Sequence, residues 1–233
     1  MSPSPPPDLH DPALLAFWRV LAGGGWSALT MRAVAAEAGI TLAELRARFA
    51  SPLEILRAHA AAVDAAVIEG TMEDETSTAR DRLFDVLMRR LDMLQANRPG
   101  VIRLMRDLPR DPLLALWLAT EQPRSMRWML EAAGLEATGP RGALRAHGLG
   151  AVWLAALRAW EKDESEDLSA TMAALDRALD QADKAARSLG LGRKEAGQHG
   201  THTPDADAAA PDPEAATPET RGDDPAAGER GAV

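Results

Sequence analysis

Arg46 and Arg48 close a short segment centred on the apolar Leu45. A guanidinium presents a fork of N–H donors that matches phosphate oxygens and the acceptor edge of guanine, so two of them on one exposed helix are candidates for nucleic-acid contacts. The plainer reading is a pair of solubilising charges. Other side chains with chemical potential are sparse. His199 and His202 stand three apart, a metal-compatible spacing, but nothing near them supplies a third ligand. His147 lies in the most apolar stretch and reads first as a satisfied core histidine, with a ligand contact or a role across a dimer interface as the alternatives. The chain has no cysteine, which excludes disulfide and thiolate chemistry. It also has no Ser/His/Asp arrangement, no paired carboxylates in an apolar setting and no phosphate-cradling loop. Gly23-Gly24-Gly25 follows a helix rather than a strand and reads as a stop signal. The expectation is a non-enzyme with no cofactor and no metal.

The two arginines need an element to hold them, and residues 30–49 describe one. Gly39 supplies a positive φ for a tight turn between two short helices. Ala35, four residues earlier, is small enough for the helices to cross closely, and Leu45, six residues later, closes the unit from the second helix. Thr30 can cap the first of these helices. Thr41-Leu42-Ala43-Glu44 and Ser51-Pro52-Leu53-Glu54 both fit capping boxes, which fixes the next two helix starts ten residues apart. Glu44 is explained by its box, although it would repel phosphate. Upstream, Asp11 and Pro12 open a helix with Leu14, Leu15, Phe17, Trp18 and Leu21 on a wide apolar face.

Downstream, an Ala-rich helix runs to about Glu69 with Ile55, Leu56, Val63 and Val67 on one side. A polar break, GTMEDETS, follows. The next helix carries Leu83, Phe84, Leu87, Met88, Leu91 and Leu94 and ends before Pro99-Gly100. A short helix covers 101–108. Asp111-Pro112 opens another, which Pro123 is expected to kink or split. Residues 141–160 are apolar almost all round, with Leu144, Leu149, Val152, Trp153, Leu154, Leu157 and Trp160, so that helix is buried on several sides or shared with a partner. The last helix carries Leu168, Met172, Leu175, Leu179 and Leu189. From Gly190 the composition turns to Ala, Pro, Asp, Gly and Thr, too polar to fold. The expected architecture is all-α: a three-helix head at 11–50, a linking helix at 51–70, a larger helical domain at 78–189 and a disordered acidic tail at 190–233.

Six tryptophans and nine methionines in a chain without tyrosine suggest a soft apolar interior. Met88, Leu91, Trp117, Trp128 and Trp153 are candidates to line a ligand cavity, each against the plainer reading of core packing. Net charge is −9 over 233 residues, but residues 191–233 hold four Lys/Arg against nine Asp/Glu and so carry −5 of it. Residues 1–65 net −1, a weak electrostatic footprint for a nucleic-acid binder. No apolar run approaches the length of a bilayer span, and MSPSPPPDLH has neither the charged nor the apolar region of a secretory signal, so the expected location is the cytoplasm, with no stable membrane anchor.

Thr30, Ala35, Gly39, Ile40, Leu45, Phe49, Ser51 and Leu56, followed by a helical domain of this length, resemble the TetR family of bacterial transcriptional regulators. The resemblance implies a third helix in the major groove of operator DNA, with Thr30, Arg32, Thr41, Arg46 and Arg48 as DNA-binding residues. It also implies a small apolar effector in the larger domain and a homodimer through helices 141–160 and 168–189. The chain departs from the family at Arg46 and Arg48, where aromatic residues are usual, at Ala43 and Glu44, where Gly and Thr are usual, and at Pro52, where a phosphate-binding Lys is usual. A second, shorter likeness runs through Trp160, Asp163, Ser165, Asp167, Thr171, Leu175, Asp176 and Arg177, which look like the end of the TetR-like accessory proteins of ubiquinone biosynthesis. That likeness implies an isoprenoid or other lipid ligand and no need for DNA.

Overall fold

The computed structural model describes residues 8–72 and 76–188. Among the described residues there are nine α-helices and no strand. The expected tail at 190–233, with its His199 and His202, and Leu189 lie outside the described residues.

Helix α1 (Pro12–Gly24) begins as expected: the Asp11 carboxylate accepts from Ala13 N at 2.9 Å with Pro12 in the first turn. Leu14, Phe17, Trp18 and Leu21 are buried along it. Gly25 takes φ 75°, and a Cβ there would meet the Arg103 guanidinium and the Asp107 carboxylate, so the loop can lie on a later helix only as glycine. A 3₁₀ turn (Trp26–Ala28) leads to α2 (Met31–Ala38), whose cap is Thr30 accepting from Ala33 N at 3.1 Å. Gly39 ends α2 in the left-handed conformation, φ 68° and ψ 26°. Helix α3 (Leu42–Arg48) carries the full capping box, in which Glu44 accepts from Thr41 N at 2.7 Å and Thr41 Oγ1 accepts from Glu44 N at 3.1 Å. Val34, Ala35 and Leu45 are buried at the crossing.

Helix α4 (Pro52–Glu69) starts at Ser51, whose hydroxyl accepts from Glu54 N. Its box closes one residue further back than expected, because Glu54 accepts from Ala50 N at 2.6 Å rather than from Ser51 N. Helices α5 (Ala79–Gln95) and α6 (Arg98–Asp107) follow. Gly100 of α6 lies so close to Trp18 of α1 that a Cβ would come within 2.8 Å of its ring. Helix α7 (Pro112–Ala132) runs through Pro123 as one helix, so the proline does not split it. Proline removes one backbone donor from the ladder, but buried Leu114 on one side and Ser125, Met126, Met129 and Leu130 on the other hold both halves to the core.

Helix α8 (Gly139–Lys162) is the expected all-round apolar helix, and its own chain covers most of it. It packs between α7 and α9 (Ser169–Ser188) and buries Leu149, Val152, Trp153, Leu157 and Trp160, while Leu144 and Leu154 stay exposed. One buried apolar cluster runs from Ala13 in α1 to Leu179 in α9, so the head and the larger helical region share a core. No helix of the described residues is long and apolar enough to cross a membrane.

Candidate nucleic-acid interface and ligand cavity

On the head, the side chains proposed for DNA divide into two groups. Thr30 and Thr41 spend their hydroxyls on helix caps, and Thr41 Oγ1 also donates to Glu44 at 2.7 Å. Arg48 is tied to Asp11 and its guanidinium lies 5.0 Å from the centre of the Phe49 ring. Arg32 and Arg46 are exposed and make no ion pair among the described residues. The acidic residues nearby are mostly engaged. Asp11 holds Arg48, Glu37 lies 3.7 Å from Arg19, Glu54 caps α4, and Asp64 is buried. The head's formal charge is therefore a poor guide to what its surface offers. The caps also pull the Glu44 carboxyl below its ordinary range, through the backbone and then the hydroxyl of Thr41.

Behind the head, a cavity of about 1210 Å³ opens between α4 on one side and α6, α7 and α8 on the other. Trp117, Trp128 and Trp153 line it. Met88 and Leu91 are not among its lining residues; Leu91 is fully buried and Met88 packs against the core. Most of the wall is apolar, including Leu56, Leu104, Met105 and Leu157. At the rim, Arg57 of α4 makes two 2.9 Å bonds to Glu121 of α7 and lies over Trp117 at 5.4 Å, bridging the two walls.

Inside is a polar cluster that the sequence reading did not single out. Arg90 of α5 is ion-paired to Asp64 of α4, Ser125 Oγ of α7 donates to the same Asp64 oxygen at 2.6 Å, and Arg90 lies 5.1 Å from the Trp153 ring. All three line the cavity, and the Arg90 and Asp64 side chains are only 8% and 10% exposed. A signal was available. Asp64 falls on the apolar stripe of α4 beside Val63 and Val67, and Arg90 falls on that of α5 beside Val86, Leu87 and Leu91. Opposite charges interrupting two apolar stripes are the mark of a buried pair.

His59 also interrupts the apolar stripe of α4. It is 2% exposed on α4, its ring 5.0 Å from that of Trp18, and neither ring nitrogen has a hydrogen-bond partner. Burial, and then the charge of Arg90, push its pKa down to about 4. His147, expected in the core, is exposed instead and bonds the Ala143 carbonyl of its own helix at 2.7 Å. It sits on the outward face of α8, which the all-round apolar pattern could not distinguish.

The residues of the second, shorter likeness do structural work. Asp163 accepts from Thr171 N and Oγ1, both at 2.7 Å, and from the Ser165 backbone and hydroxyl, joining the end of α8 to the start of α9. These bonds, the Ser165 hydroxyl first, hold the Asp163 carboxyl well below the usual range. Arg98 donates to the Trp160 and Asp163 carbonyls and stacks on Trp160 at 4.9 Å. Asp176 receives Arg80 from α5 at 2.7 Å.

No protein-family model matches the chain, and no curated protein matches it. Solved structures do. A TetR transcriptional regulator from Nitrosomonas europaea superposes with a TM-score of 0.57 at 24% identity, over 74% of this chain and 96% of that one. A TetR transcriptional regulator from a Rhodococcus species gives 0.51 at 18%, over 75% and 94%. A TetR-family regulator from Streptomyces coelicolor gives 0.50 at 16%, over 78% and 83%. The described chain, from the capped α2–α3 unit to the α8–α9 pair, thus has the fold of the TetR-type regulators.

Proposed function

We propose that this chain is a transcriptional regulator that binds operator DNA through its α2–α3 unit and responds to a small apolar ligand held in the cavity. The observation that carries the reading is a glycine-turned, doubly capped helix pair on a TetR-type fold that presents Arg32 and Arg46 to solvent without partners. Arg46 belongs to the helix that enters the major groove in this geometry, and Arg32 lies in the first turn of the preceding helix, suited to phosphate.

Two elements support a route from ligand to DNA. Helix α4 directly follows the recognition helix and supplies Leu56, Asp64 and Ile68 to the cavity wall. Helix α6 supplies Val101, Leu104 and Met105, and its terminal Asp107 accepts from Trp26 N in the head at 2.8 Å. A ligand that prefers one spacing of these two helices biases the angle at which α3 is presented. The chain acts as a homodimer through α8 and α9. Leu144, Gly148 and Ala151 fall on one exposed face of α8, and a Cβ at Gly148 would meet nothing, a strip that lets a second helix approach closely.

The test is enrichment of genomic fragments by the purified full chain. Recovery of one or a few sites, including DNA flanking its own gene, supports the regulator. Recovery of none at low salt sinks it and leaves the lipid-binding accessory reading, for which native mass spectrometry should reveal a co-purified isoprenoid.

A further inference from the structure

The chain as a whole carries a net charge of −9, yet the ionic side chains lining the cavity are five arginines against four carboxylates. Each of those carboxylates is engaged. Asp64 holds Arg90, and Glu121 takes both bonds from Arg57. Glu54 accepts from Ala50 N at the start of α4, and Glu161 accepts at 2.9 Å from Arg106, which lies outside the lining. The arginines are not all engaged. Arg48 has Asp11, but Arg124 and Arg158 are exposed and form neither an ion pair nor a hydrogen bond among the described residues. Arg124 sits three residues past Glu121 and acts on its charge together with Arg57. Arg158 sits three residues before Glu161, whose carboxylate Arg106 already holds. That bond also sets the last turns of α8 beside the end of α6, whose Asp107 reaches Trp26 in the head. Arg158 therefore stands at the head end of the cavity, with apolar Trp153, Leu154 and Leu157 continuing the wall behind it.

We propose that the cavity takes an anionic amphiphile of the long-chain carboxylate class, its head group held by Arg158 at the rim and its apolar body lying along Leu157 and Trp153. A carboxylate at an exposed arginine gains a charge-assisted partner while keeping part of its hydration, so it escapes the cost of burying a charge. An ammonium head finds no free carboxylate in the lining and meets an uncompensated guanidinium. A neutral head gains no charge-assisted bond. The inference rests on the reading of this cavity as the effector site.

Titration of the full chain by tryptophan fluorescence with dodecanoate, dodecyltrimethylammonium and dodecanol, each below its micelle or solubility threshold, tests it without any DNA. The net charge of the chain favours the cation, so a preference for the anion has to come from the cavity. Dodecanoate is expected to bind tighter than dodecyltrimethylammonium by on the order of tenfold at low salt, the gap narrowing as salt is raised because the head stays near water. Arg158→Gln should weaken dodecanoate by about fivefold and leave dodecanol within roughly twofold, which also shows that the variant is folded. Arg124→Gln should weaken dodecanoate less. Equal or tighter binding of the cation overturns the head-group assignment and leaves the cavity as an effector site. So does an unchanged dodecanoate affinity in Arg158→Gln, or an equal loss in Arg124→Gln. Binding by none of the three overturns both, and the genomic-fragment enrichment stands apart from either result.

Discussion

Arg46 and Arg48 are indistinguishable by type and by spacing, yet the fold gives them different work. Arg48 is held by Asp11, 37 residues away, and packs on Phe49, whereas Arg46 is left to solvent. Arg46→Ala should therefore lower the salt dependence of DNA binding by about one counterion, while Arg48→Ala should change it far less. Fluorescence anisotropy on the enriched site at stepped salt would separate the two. No periodicity in the sequence could make this distinction, because it rests on a contact between distant helices. His59 carries a second prediction. Its pKa in the folded chain is about 4 against an ordinary 6.5, so the unfolded chain binds more protons between those values. Stability is then full above pH 6.5 and declines toward pH 4 as the neutral ring is forced to take a charge it cannot solvate. The shift corresponds to roughly 3 kcal/mol at the bottom of that window. Urea denaturation at pH 7.5 and pH 4.5 should show a loss that His59→Leu largely removes; an equal loss in both proteins would contradict it.

At the scale of elements, helix starts were the most legible feature. Asp11, Thr30, Thr41 and Ser51 all cap where their residue types and spacing predicted, because a cap is a local bond between near neighbours. Pro123 shows the opposite case. Its effect on α7 depends on what the helix packs against, and that lies elsewhere in the chain. The cavity was half legible. The tryptophans on α7 and α8 line it, but Leu91 of α5 turns fully into the core, and α5 contributes Arg90 to the cavity instead. Apolar spacing shows that a helix has an inner face without showing whether that face meets protein or empty space. The joint between α8 and α9 is equally a matter of specific bonds. Asp163→Ala removes the acceptor for Ser165 and Thr171 together, so it should lower the thermal midpoint more than Thr171→Val, which removes the hydroxyl but keeps the Thr171 backbone bond. Calorimetry of the two variants checks the order.

For the whole molecule, the shared core decides how a ligand can be felt at the head. Head and larger region are joined by buried apolar packing and by the Asp107–Trp26 and Gly100–Trp18 contacts, and Arg57–Glu121 ties α4 to α7, so the cavity walls are packed continuously onto the α2–α3 unit. On the proposed reading, dimerisation through α8 and α9 would set the second constraint, since two recognition helices would then have to match two half-sites. Leu144→Arg on the open strip of α8 should convert a dimer to a monomer in sedimentation and weaken operator binding by at least tenfold while leaving the fold intact. The central claim is that this fold, with its modest basic footprint, reads DNA through α3. It is tested most directly by the affinity of the full chain for its enriched genomic site against a scrambled duplex, measured from low to physiological salt. The account predicts a preference for the site on the order of a thousandfold, a linear fall of log affinity with log salt, and loss of the preference in the Arg46→Ala protein. Equal affinity for site and scrambled duplex, unchanged by Arg46→Ala, would contradict it.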